Sequence, residues 1–430
     1  MRILALASIL PRAENIKSSA TPLLHLCLSG ERQPLTGKKG KLGQKIRSRV
    51  SIRDSVNPCY LAALMMRVGF RLIWSAFLTV IASCVAYFFY DTYSVYSNAP
   101  EITFPSEADV SNKLTNMEFL STLPYHGCES LVYHDGALYM GAVEGKILKM
   151  DDSGLHVLAQ FGDTNCASSH TCGRPLGMRL SLDHKELIVA DTHLGLFSVS
   201  LIDGTHKKLF PLDGTFKVTC FNDFDILPNG TVILSESSTE FPMDDIMNII
   251  FSARPSGRIL SIDLATGEWR QLMDGLAFPN GVQLHRDGKS VLVADTVTSR
   301  IHRVPLDGST PTLFGGELPG VPDNIRASPR GGYWVPVANL KDTFISHLTQ
   351  RTRQVPALRW IPPMLVKLPV FERLRLSKSA MILRLNDDGE VIEVLRDPTN
   401  RVRNVAEVCE HDNVIYTSTY FLPHIGRLHL

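Results

Sequence analysis

Residues 278–304 read FPNGVQLHRDGKSVLVADTVTSRIHRV. A short entry segment leads into an apolar alternation, and Asp287-Gly288 marks a tight turn. The run SVLVAD is a strand ending on small residues, and a further alternating strand follows. The same unit recurs along the chain. It is seen in CESLVYHDGALYMGAVEGKILKM from Cys128 and in RPLGMRLSLDHKELIVADTHLGLFSV from Arg174. FNDFDILPNGTVILSE from Phe221 is completed by GRILSIDLATG, and VPDNIRASPRGGYWVPV from Val321 is finished by AMILRLNDDGEVIEVL. AEVCEHDNVIYTSTYFLPHIGRLHL, from Ala406, closes the chain. A period of roughly 45–60 residues belongs to four-stranded propeller blades. Residues 121–430 therefore read as an all-β, six-bladed β-propeller. A sandwich of two sheets is the competing architecture, and it gives no reason for the entry motif to recur.

Ahead of this domain the charge is uneven. Up to Arg71 the acids are only Glu14, Glu31 and Asp54, among many Lys and Arg. Residues 72–90, LIWSAFLTVIASCVAYFFY, carry no charge, and from Asp91 to Asp109 every charge is acidic. Nineteen such residues just span a bilayer core of about 30 Å as a helix. Trp74, Tyr87 and Tyr90 suit the interfacial belts, and Arg67 and Arg71 place the N-terminus in the cytosol. The expected order is a basic, unstructured cytosolic tail (1–71), a transmembrane helix (72–90) and a stalk with the entry to the propeller (91–120). This is a single-pass type II arrangement, with the propeller lumenal or extracellular, at the plasma membrane or the endoplasmic reticulum. Met65 and Met66 begin a segment that alone resembles a compact type II protein, so a start there is a further expectation.

Cys166 and Cys172 bracket a short polar loop, a spacing that favours a local disulfide in an oxidising lumen over two free surface thiols. Cys128, Cys220 and Cys409 read as buried free thiols in strands. Asn229-Gly230-Thr231 is a glycosylation sequon in a hairpin turn. Residues 340–378 interrupt the fifth unit with apolar residues and eight Lys or Arg. That insertion reads as a lid over the channel, a contact for anionic lipid, or a solvated excursion. The net charge of +1 offers no field for nucleic acid.

In a propeller the innermost strand of each blade starts at the top of the axial channel, so the entry motifs converge there. They supply Glu129, Asn222, Asn280, Asp323 and Asn324. All are oxygen donors, with no His or Cys, a set for a hard cation and for Ca²⁺ rather than Mg²⁺. Any one of them alone is an ordinary turn residue; their shared position in successive repeats carries the reading.

The order E, N-D, P-N-G-V, P-D-N-I resembles the calcium signature of the paraoxonase and gluconolactonase propellers. CGRPLGMR, FPNGVQL, VPDNIRASPRGGYWV and CEHDNVIYTSTY resemble the strictosidine synthase-like branch. The resemblance implies a six-bladed propeller with bound Ca²⁺ and calcium-dependent hydrolysis of aryl esters or lactones with broad specificity, the substrate being a small hydrophobic ester or lactone. Glu129 and Asp323 would then accept protons. The alternatives are a non-catalytic ligand-binding propeller with structural calcium and, less favoured, a condensing enzyme of the strictosidine synthase type. The family's condensing glutamate corresponds to Ala406. Glu407 lies one step along, and one step along a strand reverses the side-chain direction, away from the channel. The paraoxonase base, a histidine, falls in residues 173–177, which hold none, leaving His193 as the nearby imidazole.

Overall fold

Hairpin turns set the strands. Asp135 and Gly136 both take positive φ, as the turn between Leu131–His134 and Ala137–Ala142 requires. The structure, a computed structural model, describes residues 58–98, 102–163, 169–252, 254–341, 347, 351 and 380–430. The insertion at 340–378 lies almost wholly outside these residues, as do Cys166 and the basic tail up to residue 57.

Six sheets carry nearly all of the regular structure after residue 108. Blade 1 runs from Leu131 to Gln160, blade 2 from Pro175 to Phe210, blade 3 from Phe221 to Leu276 and blade 4 from Pro279 to Leu313. Blade 5 holds Gly320–Pro322, Tyr333–Leu340, Met381–Leu385 and Val391–Arg396. Blade 6 holds Val405–His411, Val414–Thr419 and His424–His429. Its fourth strand is Glu118–Ser121, paired antiparallel to His424–His429. Asp109–Ser111 adds a parallel outer strand to blade 5 beside Val391–Arg396. Part of the expected 91–120 stalk is thus propeller, because the last blade lacks an outer strand of its own.

The alternating side chains of neighbouring sheets form six apolar clusters, one between each successive pair of blades. Leu187 and Val189 meet Tyr139 and Ile147 between blades 1 and 2. Ile425 meets Leu131 and Met140 between blades 6 and 1. A ring of such contacts is what makes the disc close.

A second repeated device fixes the start of the innermost strand in blades 2, 3 and 4. An acid at the end of the second strand accepts a backbone N–H from the entry segment. Asp191 Oδ2 takes Arg174 N at 2.6 Å, Glu236 Oε1 takes Thr219 N at 3.1 Å, and Asp295 Oδ1 takes Phe278 N at 2.9 Å.

Among its described residues the N-terminal unit holds one helix, Pro58–Ser97, which continues beyond it. Its stretch Ala62–Val95 is long and apolar enough to cross a membrane, and the apolar core of that stretch is not buried. This fits a single-pass anchor, and the helix runs past both ends of the expected 72–90 segment.

Candidate metal centre on the propeller axis

The innermost strands of blades 2 to 6 break register soon after their entry motifs. The breaks fall between Pro175 and Met178, Phe221 and Phe224, Pro279 and Val282, and Val405 and Val408, with a related shift between Val321 and Pro322. A bulge frees two consecutive residues from simple alternation. Aligned on it, the first position around the disc is Glu129, Leu176, Asn222, Asn280, Asp323 and Ala406. The second is Ser130, Gly177, Asp223, Gly281, Asn324 and Glu407.

Four of the five expected ligands, Glu129, Asn222, Asn280 and Asp323, line one cavity of about 2130 Å³, and the fifth is bonded to one of them. The amide nitrogens are committed elsewhere. Asn222 Nδ2 donates to Ser237 Oγ at 2.9 Å, Asn280 Nδ2 to Asp323 Oδ1 at 2.6 Å, and Asn324 Nδ2 to Glu129 Oε1 at 3.2 Å. The amide oxygens are therefore left over. Seven buried side-chain polar atoms among the described residues lack a partner, and four of them are Glu129 Oε2, Asn222 Oδ1, Asn280 Oδ1 and Asn324 Oδ1. Buried acceptors are seldom left bare, since each costs about 1–3 kcal/mol.

Charge points the same way. Burial raises the Glu129 carboxyl well above the usual range, and the charges of Asp323, Glu407 and Asp223 add to this. Burial likewise lifts Asp323 to about 7, against the Asn280 bond and with Asp223 and Glu407 adding to the rise. Neither carboxylate has an ion-pair partner among the described residues. Converging bare oxygens and two uncompensated acids fit a hard cation, and the absence of N or S donors fits calcium.

Apart from Asn324, the second ring was not foreseen. Arg326 pairs with Asp223 at 2.7 Å and makes a short contact with Glu407, and Arg179 also reaches Asp223. Glu407 further accepts from Ser130 Oγ at 2.8 Å, Leu131 N at 3.2 Å and Asn324 Nδ2 at 3.1 Å. The expectation that Glu407 faces away from the channel is therefore wrong. The bulge after Val405 cancels strict alternation and turns it inward, where Arg326 holds it. Ala406 is buried at the first position, and its carbonyl accepts Asn324 N.

Leu176, Phe278, Met243, Ile246 and Tyr420 give the cavity an apolar wall. The Arg174 guanidinium lies 4.6 Å from the Tyr420 ring centre and donates to the Tyr420 carbonyl. His193 does not line this cavity; it sits in the Asp191–Gly195 turn with His170 and Asp244. Asn229 is exposed in the turn after Phe221–Ile226, with its side-chain oxygen accepting Thr231 N. Cys172 is buried and disulfide-bonded; Cys166 lies outside the described residues. Cys128 and Cys220 are buried free thiols, while Cys409 is free and only half-buried.

The fold and site together define a six-bladed propeller with an oxygen-lined axial centre. Family models described as "Strictosidine synthase" and "Strictosidine synthase-like, N-terminal" match residues 222–309 and 109–150. An adipocyte plasma membrane-associated protein of Danio rerio is 34% identical over 335 residues, covering 74% of this chain and 79% of that one. Protein strictosidine synthase-like 10 of Arabidopsis thaliana is 30% identical over 383 residues, covering 83% and 98%. A solved structure described as a putative gluconolactonase aligns at 15% identity and a TM-score of 0.49, over 76% of this chain and 93% of that one. The chain belongs to the strictosidine synthase-like family.

Proposed function

We propose that this is a membrane-anchored, calcium-binding propeller that hydrolyses small hydrophobic esters or lactones in its axial cavity. The observation that carries the reading is the set of four bare, buried oxygens, Glu129 Oε2, Asn222 Oδ1, Asn280 Oδ1 and Asn324 Oδ1, beside the uncompensated Asp323. Calcium bound there supplies a Lewis acid toward a carbonyl oxygen. The apolar wall of Leu176, Phe278, Met243 and Tyr420 holds the hydrophobic part of the substrate and excludes water. Glu129 and Asp323 face the same space, and either carboxylate accepts the proton of the attacking water and returns it to the leaving oxygen. Water adds across the acyl–oxygen bond, so one acid and one alcohol result. Glu407 is excluded as that base, since four donors already occupy its carboxylate.

The propeller is assigned to the lumenal or extracellular side, with the tail in the cytosol, a glycan on Asn229 and a disulfide between Cys166 and Cys172. The test of function is turnover of phenyl esters and lactones by the detergent-solubilised full chain, with calcium and with a chelator. Calcium-dependent turnover that fails in both Glu129→Gln and Asp323→Asn is expected. Leu176 at the first position of blade 2 favours a second reading, a ligand-binding propeller with structural calcium, because no imidazole stands there. Tight calcium binding without turnover of any ester or lactone would establish that reading instead.

A further inference from the structure

Outside the axial cavity, His170, His193 and Asp244 bring one ligand atom each to within 4.8 Å of one another. They come from three separate pieces of chain: the short helix Ser169–Cys172, the turn between the second and third strands of blade 2, and the Met243–Asp245 turn in the insertion of blade 3. His170 Nε2 lies 3.7 Å from Asp244 Oδ2, and His193 Nε2 lies 3.8 Å from Asp244 Oδ1. The two imidazole centres are 4.2 Å apart. A tetrahedral zinc ion with bonds of about 2.0–2.2 Å sets its ligand atoms roughly 3.4 Å apart. With one oxygen of Asp244 as ligand, the three atoms lie within 4.8 Å of one another and would draw together around an ion.

Ser169 Oγ sits at the remaining corner, 2.8 Å from His193 Nε2 and donating to Asp244 Oδ1 at 2.6 Å. The group is not a nucleophilic triad. In a triad the acid holds the ring nitrogen opposite the serine; here Asp244 and Ser169 face the same nitrogen. His193 is anchored, with its side chain 3% exposed and its backbone N–H bound to Asp191 Oδ1 at 3.0 Å. His170 and Asp244 are about half exposed, at 51% and 46%, which leaves an entry path from solvent.

We propose that His170, His193 and Asp244 bind one divalent transition-metal ion of the zinc type, with Ser169 or water in the fourth position. Two imidazoles and one carboxylate select such an ion over calcium. The ion fastens the disulfide-bearing segment at Cys172 and the blade 3 insertion to the rim of blade 2.

The test uses the full chain in detergent with excess calcium, titrated with Co²⁺ as a spectroscopic probe and then with Zn²⁺. One equivalent of Co²⁺ should give the visible bands of a low-symmetry, nitrogen-containing site, and Zn²⁺ should remove them. His170→Ala changes an exposed side chain and leaves the fold intact. It should lower affinity by at least the ~10–100-fold that loss of an outer-shell partner costs, and Asp244→Asn should do likewise. Glu129→Gln, on the axis, should leave the Co²⁺ signal unchanged. Wild-type affinity in both His170→Ala and Asp244→Asn would overturn the assignment. So would displacement of Co²⁺ by calcium, which would place the ion on the axis, or the absence of a stoichiometric site.

Discussion

Glu129 and Asn280 stand at the same position of two blades but contribute differently. Asn280→Ala removes one neutral donor, whereas Glu129→Gln removes one of two uncompensated carboxylates while keeping the shape. Calcium affinity should fall in both, and further in Glu129→Gln, as isothermal titration would report. Unchanged affinity in Glu129→Gln would move the ion elsewhere. The ring below poses the opposite problem. Arg326 neutralises Asp223 and Glu407, both fully buried. Arg326→Met should therefore cost about 3–5 kcal/mol in chemical denaturation, as when one partner of a buried ion pair is lost. A cost near zero would mean that the cluster is solvated. The upper ring was legible because Asn-Gly and Pro-Asp recur in register with the strands. The lower ring was hidden because strict alternation assigns its residues to the other face, and only a bulge, which leaves no residue signature in Val405-Ala406-Glu407-Val408, reverses that.

At the level of strands, the approach of neighbouring blades near the axis depends on residues without side chains. A Cβ on Gly281 would meet Ile325 N at 2.4 Å and Asn324 Cα at 2.6 Å, and one on Gly177 would meet the Asn222 carbonyl at 2.7 Å. These contacts are backbone, so no side chain can rotate away. Gly281→Ala should push the entry of blade 5 from blade 4, costing about 1–3 kcal/mol and weakening calcium binding, because it displaces the backbone that carries Asn324. A variant with normal calcium affinity would show that the strands yield without moving the site. Turns at blade edges rely on buried acids. Burial opposes the charge of Asp397, but the Thr399 hydroxyl and the backbone N–H groups of Val402, Thr399 and Arg401 outweigh it and hold the carboxyl below its usual value. A depressed acid stabilises the fold above its unfolded pKa of about 3.9. That contribution is lost as pH falls through the lower folded value. Asp397→Asn should thus be less stable than wild type near neutrality, with the gap closing at the acid end; a gap that holds steady with pH would rule out this role. Hairpins such as Leu131–Ala142 were legible from Asp-Gly turns. Asp109–Ser111 and Glu118–Ser121 were not, because a short strand that pairs only with distant chain carries no local turn signal.

Over the whole disc, closure is decided by four residues far from the C-terminal blade in sequence. Glu118–Ser121 completes blade 6 by pairing with His424–His429. Without it that sheet keeps three strands, and the unpaired edge of His424–His429 faces solvent. Blade 6 stands between blade 5, which carries Asp323 and Asn324, and blade 1, which carries Glu129. The Asn324–Glu129 bond at 3.2 Å and the packing of Ile425 on Leu131 both span that junction. On the proposed function, calcium would bind only when ligands from blades 1, 3, 4 and 5 are held together. Its stabilisation, about 2.7 kcal/mol at a hundredfold excess over Kd, therefore measures closure as well as affinity. A fragment of residues 102–430 retains the closing strand and should melt cooperatively, with calcium raising its Tm. A fragment of residues 123–430 lacks the strand and should melt lower, with most of the calcium-dependent rise lost. Matching melting curves and calcium shifts in the two fragments would mean that the remaining three strands close the ring unaided.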